Sequence, residues 1–306
     1  AGALLAMGTY RSPAVALMPD LTPKPLRSRA NAVINLMGAA GGMYSLLMIR
    51  LLVGKGITPS YLPVFLAVAA LMLAAAGVLA LTIRERRLEK DMSAQGELEE
   101  EKPGIPGEKI PLEPAMRRSL LLILCSVAFW FMGYNAVTTA FSKYAQVRWG
   151  MEGGGFASCL MVATVAAILS YLPVGMISSR VGRKKTILFG VALLFACFGV
   201  GGLVTRYTPL LNILFGVVGV AWAAINVNSY PMVVEMSRTG DVGKYTGYYY
   251  TFSMAAQVVT PILSGFLLEH VGYWVLFPYA ALFVALAFVT MSLVRHGDSR
   301  IEGRKS

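Results

Sequence analysis

Apolar blocks the length of a membrane-crossing helix, separated by short polar turns, recur along this chain. Residues 61–83 run for more than twenty positions without a charged side chain, and about 20 apolar residues in α-helix span the hydrocarbon of a bilayer. A backbone in lipid must satisfy its own N–H and C=O groups, and blocks of this length do so as helices. The chain is 56% hydrophobic and only 14% charged, with a mean hydropathy of +0.63. Soluble chains are about a quarter charged, so an all-α membrane protein is expected.

Apolar blocks read against turn residues predict nine helices, near 1–19, 30–53, 61–83, 119–141, 156–177, 186–205, 210–234, 245–268 and 273–294. Residues 84–118 interrupt them with a charged linker lacking any apolar period, helical where Arg and Glu alternate and loose where Pro and Gly cluster. The expected organisation is three helices in 1–83, the linker at 84–118, six helices in 119–295 and a tail at 296–306. The chain opens without Met in an apolar run at 1–7, which suggests a fragment lacking upstream helices.

The formal charge of +11 does not indicate nucleic acid, because the cations lie in short loops between apolar blocks and not on one soluble face. Their distribution sets the orientation. With the linker inside, Lys24, Arg27, Arg29, Arg180, Arg183, Lys184, Lys185, Arg238 and Lys244 fall inside with the linker and tail cations. Arg50, Lys55, Lys143, Arg148 and Arg206 fall outside. Linker and C-terminus are therefore expected to be cytoplasmic, at the cell membrane. Cys125, Cys159 and Cys197 sit within apolar blocks as small hydrophobes, and His270 and His296 lie at helix ends. Neither set has metal or disulfide spacing, so no metal or cofactor is expected. With no nucleophile–base pairing or phosphate loop, an enzyme is not expected either.

The loop GMISSRVGRKK (175–185) resembles the signature cytoplasmic loop of the major facilitator superfamily, a Gly, an acidic residue, Arg, Gly and paired cations. Gly175 would let two helices approach, Gly182 permits a tight turn, and Arg180 and Arg183 face helix dipoles and lipid headgroups. Ser179 stands where the family carries Asp. The resemblance implies two six-helix halves around a cytoplasmic linker, with nine of twelve helices, the fourth to the twelfth, present here.

Two loops repeat a pattern six helices apart: DLTPKPLRSR (20–29) and EMSRTGDVGK (235–244) each join a carboxylate to a cation nine residues on. Asp20 with Arg29 and Glu235 with Lys244 are the expected latches of a cytoplasmic gate, against the alternative of solvated interface charges. The run YRSPAVALMPD (10–20), continued by RANA (29–32), resembles the sucrose-type sugar–proton symporters, beside the glycoside–pentoside–hexuronide cation symporter branch. Their sugar-contacting Arg falls on Val15 and their proton-carrying Asp on Leu4, while Arg11 shares that helix face.

A sugar needs amides and hydroxyls for its OH groups and aromatic faces for its C–H surfaces. Arg11, a charge inside an apolar block, is the first candidate, with snorkelling or pairing as its alternative. Asn35, Trp130, Tyr134, Asn135, Trp222, Asn226, Tyr230 and Gln257 form polar and aromatic stripes at helical spacing. Such stripes also serve interhelical packing. The expected function is a monomeric secondary transporter of a sucrose- or oligosaccharide-like sugar, coupled to protons and working by alternating access. An exporter of small amphipathic compounds, or a non-transporting sensor or fragment, is the alternative.

Overall fold

A computed structural model describes residues 15, 17–19, 21–23, 26–52, 62–82, 113–151, 155–237 and 241–298. The described residues are helical, with no strand among them. In chain order they form α1 (Arg27–Leu52), α2 (Leu62–Thr82), α3 (Pro114–Trp149), α4 (Gly155–Val181), α5 (Arg183–Leu203), α6 (Leu210–Val234), α7 (Val242–His270), a 3₁₀ turn (Tyr273–Val275) and α8 (Leu276–Ser292). Seven helical spans among the described residues are long and apolar enough to cross a membrane, namely α2 and every later helix. The expected span at 1–19 lies outside the described residues, except that Val15 and 17–19 are helical.

The chain divides into two compact units, residues 33–106 and residues 1–32 with 107–306. In the first, the Tyr44 hydroxyl donates to the Ala67 carbonyl at 3.2 Å and so ties α1 to α2. Most of α2 is exposed and apolar on every side, as suits a helix surrounded by lipid.

The larger unit is a bundle of α3–α8 joined by the first turns of α1. Its crossings are made by small residues, which let backbones approach where lipid supplies no hydrophobic drive. A Cβ on Gly133 would meet the Ala280 carbonyl and Val284 at 2.8 Å, setting α3 on α8. Gly190 sits against Ala221 and Ala224, joining α5 to α6. At Gly219 a Cβ would fall inside the Ala163 carbonyl, which makes α4 on α6 the tightest crossing.

Most predicted ends hold within a few residues, and α6 coincides with its prediction. The exception is α3, expected at 119–141 but found over 36 residues. It starts with Pro114, whose missing N–H costs nothing in a first turn. It ends at Gly150 in the left-handed region, φ 64°. At roughly 1.5 Å per residue α3 is about 54 Å long, well beyond the ~30 Å of hydrocarbon. Polar residues at its ends therefore belong to helix outside the apolar layer.

Candidate functional site: an ion-pair clasp and an aromatic–amide cluster

The chain alternates direction, so the starts of α3, α5 and α7 and the ends of α4, α6 and α8 share one face of the bundle. At that face Glu235, just past the end of α6, accepts from two guanidiniums. Arg183 Nη1 lies 2.8 Å and Arg27 Nη1 3.3 Å from Glu235 Oε2. Arg183 is fully buried, and the Arg27 and Glu235 side chains are only 10% and 8% exposed. Arg183 Nε also donates to Ser28 Oγ at 2.9 Å. Arg27 donates to the carbonyls of Pro19 (2.9 Å) and Thr22 (3.2 Å).

This corrects the expected latch. Glu235 pairs with Arg27 and Arg183, while Lys244 is exposed in the first turn of α7. A guanidinium is less strongly hydrated than an ammonium and offers several donors in a fixed fork, so it suits a buried pair where Lys does not. Arg29 is half-buried, and its Nε has no hydrogen-bond partner among the described residues. Asp20 and Arg11 lie outside the described residues. Arg180 ends α4 exposed to solvent. Ser179, at the position of the family's Asp, turns its hydroxyl back to the Gly175 carbonyl at 2.8 Å.

The two glycines act as expected from close approach and turn. A Cβ on Gly175 would sit 2.9 Å from Ala32 Cβ, so this glycine seats the first turns of α1 on α4. Gly182 has φ 108°, a conformation L side chains rarely adopt. Beside it Asp298 Oδ1 accepts from the backbone N–H of Arg183 (2.7 Å) and of Lys184 (3.2 Å). The tail thus caps α5, satisfying two amides that a helix start leaves open.

Asn31 makes a second tie between α1 and α6. Its Nδ2 donates to the carbonyls of Val227 (2.7 Å) and Asn226 (3.1 Å). Val227 precedes Pro231 by four residues, and a proline has no N–H to return the helical bond. Asn31 supplies the donor that Pro231 lacks. Replacing Asn31 by Leu is expected to orphan this carbonyl at a cost of about 1–3 kcal/mol. A lowered melting temperature of the purified protein would register it.

Deeper in the bundle, Trp222 stacks on Tyr134 with centroids 3.8 Å apart and planes 8° apart. Phe131 meets the same indole edge-on at 5.3 Å. Asn226 follows one turn along α6, and Tyr171 of α4 is buried against the same stretch of α6 with Ala223, Ala224 and Val227. The structure therefore brings together Tyr134, Trp222 and Asn226 of the expected binding residues, and adds Phe131 and Tyr171.

The other expected binding residues separate from this cluster. Trp130 is fully buried in the core, packed away from the Tyr134–Trp222 stack. The Tyr230 hydroxyl bonds Thr246 (2.9 Å) and the Val15 carbonyl (3.2 Å). Its ring packs against Tyr249 at 5.4 Å, so it joins α6 to α7. Asn135 and Gln257 donate back to their own helices, at the Phe131 (2.8 Å) and Ser253 (3.3 Å) carbonyls. Asn35 is half-buried one turn after Asn31, within the smaller unit.

The profile of the Major Facilitator Superfamily matches residues 2–170 and 149–306. The chain belongs to the major facilitator superfamily. It is accordingly a multi-pass integral membrane protein with an all-α fold. Among curated proteins the chain is similar to the hexuronate transporter of Bacillus subtilis (strain 168), 25% identical over 189 residues. That similarity covers 55% of this chain and 42% of the transporter, so the chain spans less than half the length of that relative.

Proposed function

We propose that this superfamily chain carries a sugar-derived solute across the membrane by alternating access, and that a sugar acid is the first substrate class to test. The observation that carries the reading is the Tyr134–Trp222–Asn226 cluster set inward from a buried ion-pair clasp. Trp222 lies about 20 Å along α6 from Glu235 at roughly 1.5 Å per residue. That depth is near the middle of a bilayer, where carriers of this kind of architecture hold substrate. Stacked aromatic rings offer an apolar face for sugar C–H groups, and the amide and phenols offer partners for hydroxyls.

Membership of the superfamily supports transport as the activity, and the hexuronate transporter supports the solute class. Sucrose is a neutral disaccharide, whereas a hexuronate is a single sugar unit bearing a carboxylate. Arg11, the intramembrane cation singled out in the sequence, has the charge to balance one. The clasp then acts as the cytoplasmic gate: with Arg27 and Arg183 on Glu235, the start of α1 is held to α5 and α6. Opening requires those pairs to part, so uptake would alternate between a clasped and an unclasped arrangement. Proton coupling is part of the proposal, with linker and tail in the cytoplasm.

The test is uptake of labelled glucuronate, galacturonate and sucrose by a transport-deficient strain expressing the complete gene, with and without an uncoupler. Uncoupler-sensitive hexuronate uptake is expected, falling at least tenfold in Trp222→Ala, about the loss of one well-placed contact of 1.4 kcal/mol. Sucrose uptake without hexuronate uptake would return the substrate to a neutral sugar. Uptake of none by a well-expressed protein would overturn the sugar reading.

A further inference from the structure

A groove of about 710 Å³ lies on the flank of the larger unit between α3 and α8, away from the α4–α6 cluster. At its outer end stand Arg117 and Arg118, one helical turn before the buried apolar run of α3 begins at Leu120. Its walls below them are apolar: Leu121, Leu122 and Phe129 of α3, with Thr290 of α8. The Thr290 hydroxyl is already bonded to Ser126 at 2.7 Å and to its own helix, so it makes no polar demand on an occupant. The volume is that of a small-molecule site.

The two guanidiniums are exposed, and neither makes an ion pair among the described residues. Glu113, one turn before Arg117, makes none with it. Leu121 of the groove is exposed, as are the apolar Leu286, Phe288 and Val289 of α8. In a membrane protein such a surface meets lipid. The groove therefore combines a paired positive end at the edge of the apolar layer with an apolar trough running into it. Few solutes match both ends. A phospholipid with a net negative headgroup does, and it is already the solvent at this surface. Basic pockets between membrane helices near the interface take such headgroups.

We propose that this groove binds an anionic phospholipid, with its phosphodiester on Arg117 and Arg118 and an acyl chain along Leu121, Leu122 and Phe129. The lipid would fill the seam between α3 and α8. At the same face, Ser119 Oγ meets His296 Nδ1 at 2.8 Å and binds the tail to α3. The site does not depend on the substrate proposed above, so each can fail alone.

The test is native mass spectrometry of the detergent-purified full chain, titrated with phosphatidylglycerol or phosphatidylcholine of identical acyl chains. Phosphatidylglycerol is expected to bind more tightly at one site. In Arg117→Gln/Arg118→Gln its affinity should fall roughly thirtyfold, the loss expected for two interfacial cations. Phosphatidylcholine should be unaffected. Arg295→Gln removes an exposed cation at the same face that does not line the groove, and should leave binding intact. Matching gel-filtration profiles would establish that the variants fold. No preference for the anionic lipid, an equal loss in Arg295→Gln, an unchanged double variant, or competition by inorganic phosphate alone would each overturn the proposal.

Discussion

Glu235→Gln is expected to lower the melting temperature by roughly 10 °C, since breaking a buried ion pair costs about 3–5 kcal/mol. Glu235 is the one carboxylate shared by the Arg27 and Arg183 guanidiniums, so a single substitution breaks both pairs. It leaves two desolvated cations facing one neutral amide. Arg27→Gln should be milder, because the 2.8 Å pair between Arg183 and Glu235 survives it. Ser28 is fully buried against Arg183 and reports on the same event. A Ser28→Cys protein should resist a membrane-impermeant maleimide, and should become reactive when Glu235→Gln is added. An unchanged melting temperature with a still-protected thiol would show that the cluster is not what holds α1 to the bundle.

Gly219→Leu is expected to prevent assembly of the bundle. A side chain there would enter the Ala163 carbonyl and approach the Ala167 nitrogen to 3.0 Å. Both are helix backbone atoms that cannot rotate away, so α4 and α6 must separate. Overpacking a core usually costs about 1–3 kcal/mol, with larger values where nothing can yield. Separation of these helices would also disturb the seat of Asn31 on the Asn226 and Val227 carbonyls. Gly216→Ala, one turn earlier, is the matched control, because its nearest neighbour is Val162 Cγ1 at 3.6 Å. Gel filtration should give a monodisperse peak for the control and aggregate for Gly219→Leu. Equal behaviour of the two would mean that the α4–α6 crossing tolerates a looser fit.

The helices were legible because hydrophobicity and the bilayer act on the same variable, the number of consecutive apolar residues. Where helix continues beyond the lipid that variable is silent, which is why the ends of α3 were missed. The partners of Glu235 were missed for a different reason. Arg183 and Arg27 lie 52 and 208 residues away, and a loop's internal spacing says nothing of which helix start will pack beside it. Trp130 and Trp222 read alike in the sequence, each within a stripe of polar and aromatic residues. Both are buried in the same core, and only the rotation of α3 and α6 against their neighbours encloses Trp130 completely while setting Trp222 on the Tyr134 ring with 9% of its surface open. One signal was available and unused. Pro231 leaves the Val227 carbonyl without its helical donor, and a buried amide elsewhere in the chain had to supply one.

The cap that Asp298 places on α5 also constrains how the protein is made. The residue that satisfies the Arg183 and Lys184 amides lies beyond α8. The turn at Gly182 therefore leaves the ribosome long before its carboxylate does. Until α8 has entered the membrane, the start of α5 must rely on water or on insertion machinery for those hydrogen bonds. The clasp residues Arg27, Arg183 and Glu235 all emerge before Asp298, so a nascent chain stalled before α8 would hold Arg183 on a helix start that lacks this cap.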